Sequence, residues 1–327
     1  MNNCGFSPSE IDSLTNAQQD FLCDVFTGLG EQPRSLPCKY LYDQKGSELF
    51  DAICETPEYY PTRTEAGIMR RNIGAICEAL PDDALLVEYG SGSSVKTALL
   101  LENAQQLSGY VPVDISEDHL LETAERLRIE HPELEISPVA ADFTQSFELP
   151  EESEDLPIVV YFPGSTIGNF DETEAKRLLK QIRNQCRDEG GLLIGFDLYK
   201  DSQVLEAAYN DKAGITAAFN LNLLTHINRE LQGNFDLENF KHVAKFVDEN
   251  SRIEIYLESL SNQTIEVFGK EFEFESGERV HTENSHKYKR ADFESMANEA
   301  GLKLEHLWTD DQSYFAVAYF VPSLTSD

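Results

Sequence analysis

The residues best placed to do chemistry form one short run, Leu85-Leu86-Val87-Glu88-Tyr89-Gly90-Ser91-Gly92-Ser93-Ser94-Val95-Lys96-Thr97. An apolar stretch ends in an acid, turns through Gly90 and Gly92, and enters a helix-like segment. Backbone there can lie close to a ligand with a helix N-terminus behind it, which is the pattern of a nucleotide-cofactor turn. Three cofactors compete for it. A phosphate-cradling loop needs glycine just before its Lys-Thr pair, and here that position is Val95, so Lys96-Thr97 is not such a pair. A dinucleotide turn wants a third small residue, which Ser94 supplies only approximately. Glu88 separates the candidates better. A carboxylate before the first glycine repels a pyrophosphate and attracts the cationic amino-acid end of S-adenosylmethionine. An ordinary strand-turn-helix corner would carry the same residues, so the rest of the chain has to decide.

Three further strand-like runs supply more polar groups. The run 109–114 ends in Asp114, 24 positions after Gly90, where a carboxylate can accept ribose hydroxyls. The run 134–140 leads to Asp142-Phe143, an acid for an adenine amino group followed by a ring to pack on the base. The run 157–162 leads into Pro163-Gly164-Ser165-Thr166-Ile167-Gly168-Asn169-Phe170. In an open α/β sheet the carboxyl ends of the strands face the ligand crevice.

The elements that must position these groups follow from apolar periodicity and stop signals. Helical spacing at Ile11, Leu14, Phe21 and Phe26 predicts an N-terminal helix. A helix is expected over 64–80, another over 172–188 capped by Asp171, and a fifth strand over 192–197. Tyr40, Tyr42, Tyr59 and Tyr60, just ahead of the cofactor strand, read as a lid over a pocket. From residue 200 to 285 the pattern changes: helices over 202–210 and 213–231, then strands over 240–247, 252–260 and 264–268, with a turn at Gly277-Glu278. This is a separate α+β insertion. A helix near 290–300 and two strands, 302–309 and 314–321, end the chain as a hairpin.

The bulk composition narrows the function class. The chain has 327 residues, 41% of them hydrophobic, enough for one large α/β domain or two linked ones. A formal charge of -33 disfavours nucleic acid and anionic lipid as partners and favours small substrates. No apolar run approaches membrane-spanning length, and a cytoplasmic monomer is expected. The six cysteines contain no C-x-x-C pair and read as free thiols. The seven histidines show no ligand spacing, so no metal site is expected.

Seven strings, in order, carry a resemblance: KYLYDQKGSELFD, PEYYPTRTE, VEYGSGSSVKT, VPVDIS, FPGSTIGNF, AAYNDKAGITAAFNLNLLTHINREL and HTENSHKYKR. Together they resemble the histidine-specific Nα-methyltransferases of ergothioneine biosynthesis, from about Leu36 to Phe320. The resemblance implies a class I methyltransferase fold, a Rossmann-like seven-stranded sheet, with a smaller α+β substrate-binding domain. The methyltransferase domain would span 63–199 and 286–327, and the substrate domain 1–62 and 200–285. The implied reaction transfers three methyl groups from S-adenosylmethionine, released as S-adenosylhomocysteine, to the α-amine of L-histidine, giving hercynine.

By matching motif, Tyr42, Gly90, Lys96, Asp114, Asp142 and Phe143 are implied to hold the cofactor, joined by Glu88 and Gly92 of the turn. Tyr59, Asn169 and Tyr209 would surround the substrate carboxylate and amine, with Tyr42 and Asn169 orienting the amine as the catalytic pair. Glu283 and Ser285 would face the imidazole, and the small Gly164 would leave room for the growing methyl cluster. The chain departs from the pattern at Ile255, aligned with a pocket methionine and both shorter and stiffer than it. Two competitors remain: N-methylation of another amino acid such as tryptophan, and a non-catalytic adenosine- or NAD-binding module.

Overall fold

The computed structural model describes residues 14–91, 95–150, 153 and 155–323. They divide into two compact units: the described chain up to Tyr59 with Ser202–Val247 and Ile253–Asn284, and Tyr60–Asp201 with Asp248–Arg252 and the chain from Ser285 on. The first unit opens with α1 (Asn16–Gly30), β1 (Arg34–Ser35) and α2 (Gln44–Cys54). The second supplies α3 (Tyr60–Ala79), β2 (Leu85–Tyr89), α4 (Val95–Asn103), β3 (Gly109–Asp114), α5 (Glu117–Glu130), β4 (Glu135–Ile136), β5 (Val139–Ala140), β6 (Ile158–Phe162), α6 (Glu172–Cys186) and β7 (Gly191–Asp197). The chain returns through α7 (Ser202–Ala208), α8 (Ile215–Glu230), β8 (Phe240–Val247), β9 (Arg252–Ser259), β10 (Gln263–Val267), β11 (Lys270–Phe274) and β12 (Arg279–His286). It closes with α9 (Arg290–Glu299), β13 (Leu302–Thr309) and β14 (Phe315–Pro322).

The second unit is built on one sheet with spatial order β13-β14-β7-β6-β2-β3-β4, with β5 also pairing with β3. It is seven positions wide, the outermost shared by the short strands β4 and β5. From β7 to β4 the pairs are parallel, and β14 and β13 add an antiparallel hairpin. This is the five-strand series with terminal hairpin expected above. Every residue of β2, β6 and β7 is buried, because helices cover both faces of a parallel sheet and leave no solvent side for polar alternation. Chain direction across the sheet reverses at β2: β3 follows on one side and β6 on the other. The crevice beyond the ends of β2 and β6 is therefore the topological switch point, where ligands bind in such sheets.

The third strand, expected as one run over 134–140, is broken. Pro138 has no N–H to continue the ladder, and pairing with β3 resumes at Val139. Asp171 caps α6 as expected, in a capping box with Glu174. The expected N-terminal helix is α1, capped by Thr15, while Ile11 lies outside the described residues.

The first unit holds a four-stranded sheet, β1-β12-β9-β8, and the hairpin β10-β11. Alternate residues of β9 are buried, so only one of its faces is in the core. The turn of the hairpin is Phe268-Gly269, both with positive φ. That geometry suits a two-residue hairpin, but Phe is a rare choice for it, which is why β11 has no turn signal ahead of it in the sequence. Among the described cysteines, Cys38, Cys54, Cys77 and Cys186 are thiols outside any disulfide and Cys23 is disulfide-bonded, so Cys23 is not the free thiol expected of it.

Candidate active site

The donor turn lies at the end of β2 in the second unit. Gly90 has φ 70°, a left-handed conformation that favours glycine, and its amide donates to Val113 O of the neighbouring strand at 2.9 Å. A Cβ on Gly90 would stand 3.9 Å from the Phe143 ring edge. Phe143 stacks on Tyr89, centroids 5.2 Å apart, and meets Phe162 and Phe170 edge-on, so a partly buried aromatic wall stands beside the turn. Gly92 lies outside the described residues.

Glu88 does not occupy the place expected of it. The side chain has 0% exposure and its oxygens accept hydrogen bonds from the hydroxyls of Thr97 (2.8 and 2.9 Å) and Tyr110 (2.6 Å). A group that is to touch a ligand has to present some surface, and Glu88 presents none. Burial raises its pKa to about 7 against the opposing effect of those two hydroxyls. Its hydroxyl partners on α4 and β3 hold it inside the fold rather than at a ligand surface.

The other donor-side acids sit at strand ends. Asp114 closes β3, and its Oδ1 accepts from Ser116 N at 2.9 Å. Burial raises its pKa, partly offset by that backbone bond. Asp142 follows β5 and turns its Oδ1 onto Thr144 N at 2.9 Å. Lys96, in the first turn of α4, is not an exposed helix-start lysine. Its Nζ lies 2.6 Å from Glu65 Oε2 in a buried ion pair.

The loop after β6 carries Gly164 at φ 79° and a short 3-10 turn, Thr166–Asn169. Gly164 N donates to both oxygens of Glu65, at 3.1 and 3.0 Å. Asn169 ends this turn and is half-buried. Ser285, also in the second unit, accepts from Lys287 Nζ at 2.8 Å, and Lys287 in turn pairs with Asp197 at 2.9 Å. Asp197 takes Lys200 and the Tyr60 hydroxyl as well. Burial alone would raise its pKa, but the two ammonium groups overrule that and hold it below the usual range. Desolvation lowers Lys200 to about 8.

The first unit gathers a different set of groups. Tyr42 follows the 3-10 turn Cys38–Leu41, and its ring meets Phe50 at 5.6 Å and Phe219 at 5.3 Å. Its hydroxyl is 3.4 Å from Glu283 Oε1 on β12, a long contact. Tyr59 and Tyr209 pack edge to face at 5.9 Å, and Phe50 bridges Tyr59 to Tyr42. Burial pushes the phenols of Tyr42 and Tyr59 well above their usual range, Glu283 adding to it for Tyr42 and Tyr209 for Tyr59. Both phenols are therefore hydrogen-bond donors at neutral pH and poor bases. Ile255 lies on the buried face of β9, and its carbonyl accepts from Thr282. His242 links Asn220 to the carbonyl of Tyr209, with burial keeping its imidazole below the usual pKa and hence neutral.

Of the expected acceptor residues, the first unit brings together Tyr42, Tyr59, Tyr209 and Glu283, while Gly164, Asn169 and Ser285 belong to the second. The tyrosine-rich segment does not act as one piece. Tyr40 donates to Asp24 and stacks on Phe21, and Tyr60 is tied to Asp197. Sequence reasoning gave no role to Glu65, Phe50, Phe219 or Asp197. A signal existed for Glu65: it shares the buried stripe of α3 with Pro61, Ile68, Met69 and Ile76, where an acid is out of place.

Comparison with known proteins gives a consistent picture. The sequence profile described as histidine-specific methyltransferase, SAM-dependent, matches residues 21–322. Histidine N-alpha-methyltransferase of Mycolicibacterium smegmatis is 40% identical over 91% of this chain and 94% of its own length. The protein of the same name from Mycobacterium tuberculosis is 38% identical over 90% and 92%. A more distant relative, L-tryptophan methyltransferase trpM of Psilocybe serbica, is 26% identical over 90% of both chains.

Proposed function

Because the chain belongs to the histidine-specific, S-adenosylmethionine-dependent methyltransferases, we propose that it methylates the α-amine of L-histidine three times, to hercynine, in ergothioneine biosynthesis. The observation that carries the choice of acceptor is Glu283, a buried carboxylate beside the phenol of Tyr42 in an otherwise aromatic cluster. A carboxylate at this place can accept an imidazole N–H and favours the protonated ring, which an indole or an aliphatic side chain does not match. The relative named L-tryptophan methyltransferase makes tryptophan the acceptor to exclude.

The cofactor contributes a methyl group already activated on a sulfonium. The residues present fit it: Gly90 leaves its place beside the Phe143 wall clear of a Cβ, Asp114 would take the ribose hydroxyls, Asp142 and Phe143 the adenine, and Lys96 the carboxylate of the amino-acid end. In this reading the second unit is the methyltransferase domain and the first the main substrate domain. Tyr59 and Tyr209, with Asn169, would hold the substrate carboxylate by hydrogen bonds, and Ser285 would join Glu283 at the ring. Ile255 would line the ring pocket, and Gly164 would accommodate the growing methyl cluster. The protein's main contribution is alignment, a nitrogen lone pair in line with the methyl carbon at about 3 Å.

Tyr42 would orient the amine rather than deprotonate it, since its phenol is pushed away from ionisation. The amine, with a pKa of about 8 or above, must then arrive neutral or lose its proton to water. We place the enzyme in the cytoplasm as a monomer, acting on a small-molecule substrate. No helix among the described residues is long and apolar enough to cross a membrane.

Incubation with S-adenosylmethionine and a panel of amino acids, with mass detection of one, two and three added methyl groups, tests the assignment. Histidine should give all three products and tryptophan none. Methylation of another amino acid without histidine would replace the acceptor, and no product from any would leave only a binding module.

A further inference from the structure

Gly195 stands inside β7, a central strand of the sheet, where a glycine ordinarily weakens the strand and marks a close approach by another group. The approaching group is identifiable: a Cβ at this position would lie 2.0 Å from Glu65 Oε1. Glu65 rises from the apolar stripe of α3, and its side chain is 1% exposed. A carboxylate so placed is costly unless paired and hydrogen-bonded. Its partners are Lys96 Nζ at 2.6 Å and Gly164 N at 3.0 and 3.1 Å. Those partners belong to the two segments that follow β2 and β6, the strands that flank the reversal in the sheet. Of the ionisable groups around it, Glu88 feels both members of the pair and Tyr161 feels Glu65. Glu88 is committed to Thr97 and Tyr110 and cannot replace Glu65 as the anchor.

We propose that Glu65 is a positioning residue for S-adenosylmethionine, its carboxylate fixing the Lys96 ammonium and the Gly164 amide in the arrangement that receives the amino-acid end of the cofactor. The proposal rests on the cofactor role assigned above to Lys96. An ammonium carries three donors, so the bond to Glu65 is compatible with further bonds to a ligand carboxylate. A free lysine head samples many rotamers, and tethering it settles that entropy before the ligand arrives. Glutamine keeps an acceptor but not the charge: an oxygen at the Oε2 position still reaches Lys96 and Gly164, while the ammonium loses its counter-charge and an NH2 at the Oε1 position would stand beside the Gly164 N–H.

The test uses the full chain and measures cofactor binding by calorimetry without acceptor, which separates its failure from a wrong choice of acceptor. Glu65→Gln should weaken S-adenosylmethionine binding about tenfold or more while the histidine KM at saturating cofactor stays within about twofold. Gly195→Ala, which displaces the carboxylate without altering it, should reproduce this one-sided loss, and Lys96→Met should lose affinity at least as far. If Lys96→Met bound the cofactor like wild type, the cofactor role of Lys96 and the proposal with it would fall. If Lys96→Met lost affinity while Glu65→Gln and Gly195→Ala kept it, or if these two variants lost cofactor and histidine use equally, Glu65 would be a structural residue only.

Discussion

The residues proposed for the donor and those proposed for the acceptor differ in how they carry charge. In the second unit the buried charges are matched or hydrogen-bonded: Glu65 with Lys96, Asp197 with Lys287 and Lys200, and Glu88 beneath two hydroxyls. In the first, Arg34 pairs with Glu278 and Asp43 with Arg229, but the expected acceptor residues are phenols and one carboxylate, with Glu283 Oε1 3.4 Å from the Tyr42 hydroxyl. Cofactor and acceptor make different demands. S-adenosylmethionine carries fixed charges that a rigid, pre-paired scaffold can meet, whereas the acceptor amine must be neutral to react. Phenols pushed away from ionisation can orient such an amine without taking up or releasing protons themselves. In the proposed reading, ion pairs hold the donor side while neutral phenols orient the acceptor amine.

The largest effect that would sharpen this contrast concerns stability. Asp197→Asn leaves two buried ammonium groups without their counter-charge and should cost about 3–5 kcal/mol in a denaturant titration; a loss below about 1 kcal/mol would mean that these charges do not support the fold. Glu88 should show the reverse sign. Its folded pKa of about 7 lies above its unfolded value, so the folded state binds the extra proton and wild-type stability falls as pH rises between those values. Glu88→Gln, which keeps an acceptor for Thr97 and Tyr110, should therefore gain about 1–3 kcal/mol at pH 8 and lose that advantage below about pH 5. Equal stability of both proteins across this range would contradict the burial argument.

Smaller effects test the first unit. Tyr209→Phe should raise the histidine KM about tenfold and leave S-adenosylmethionine binding unchanged; a matching loss of cofactor affinity would erase the division of labour. The rate profile offers the mildest test. With Tyr42 and Tyr59 held protonated, kcat/KM for histidine should climb about tenfold per pH unit below the amine pKa of about 8 and then level off. A fall before about pH 10 would point to a phenol that ionises in the working range.

The fold was more legible than the site. Parallel strands buried on both faces read as the apolar runs of β2, β6 and β7, and Asp171 with Gly301 marked helix ends through backbone chemistry that is local in sequence. What failed was also physical. Pro138 split a strand, the Phe268-Gly269 turn gave no warning of β11, and α2 was hidden because its cap, Asp43, sits in a run read for its aromatics. Within the proposed site, spacing pointed to Gly90, Asp114 and Asp142-Phe143 because they follow strands. Nothing local distinguishes Tyr59, Tyr209 or Glu283 from packing or solvated residues. Their grouping depends on contacts more than a hundred positions apart, and resemblance to a family supplied them. Glu88 was misplaced for the same reason, since the hydroxyl of Tyr110 that occupies it comes from the next strand.

The separation of donor and acceptor recognition is tested most directly by one paired measurement on Glu283→Ala: the calorimetric Kd for S-adenosylmethionine beside kcat/KM for histidine. We expect kcat/KM to fall about 100-fold with the cofactor Kd unchanged within about twofold. Equal losses of both, or an unaltered kcat/KM, would contradict the assignment of Glu283 to the imidazole.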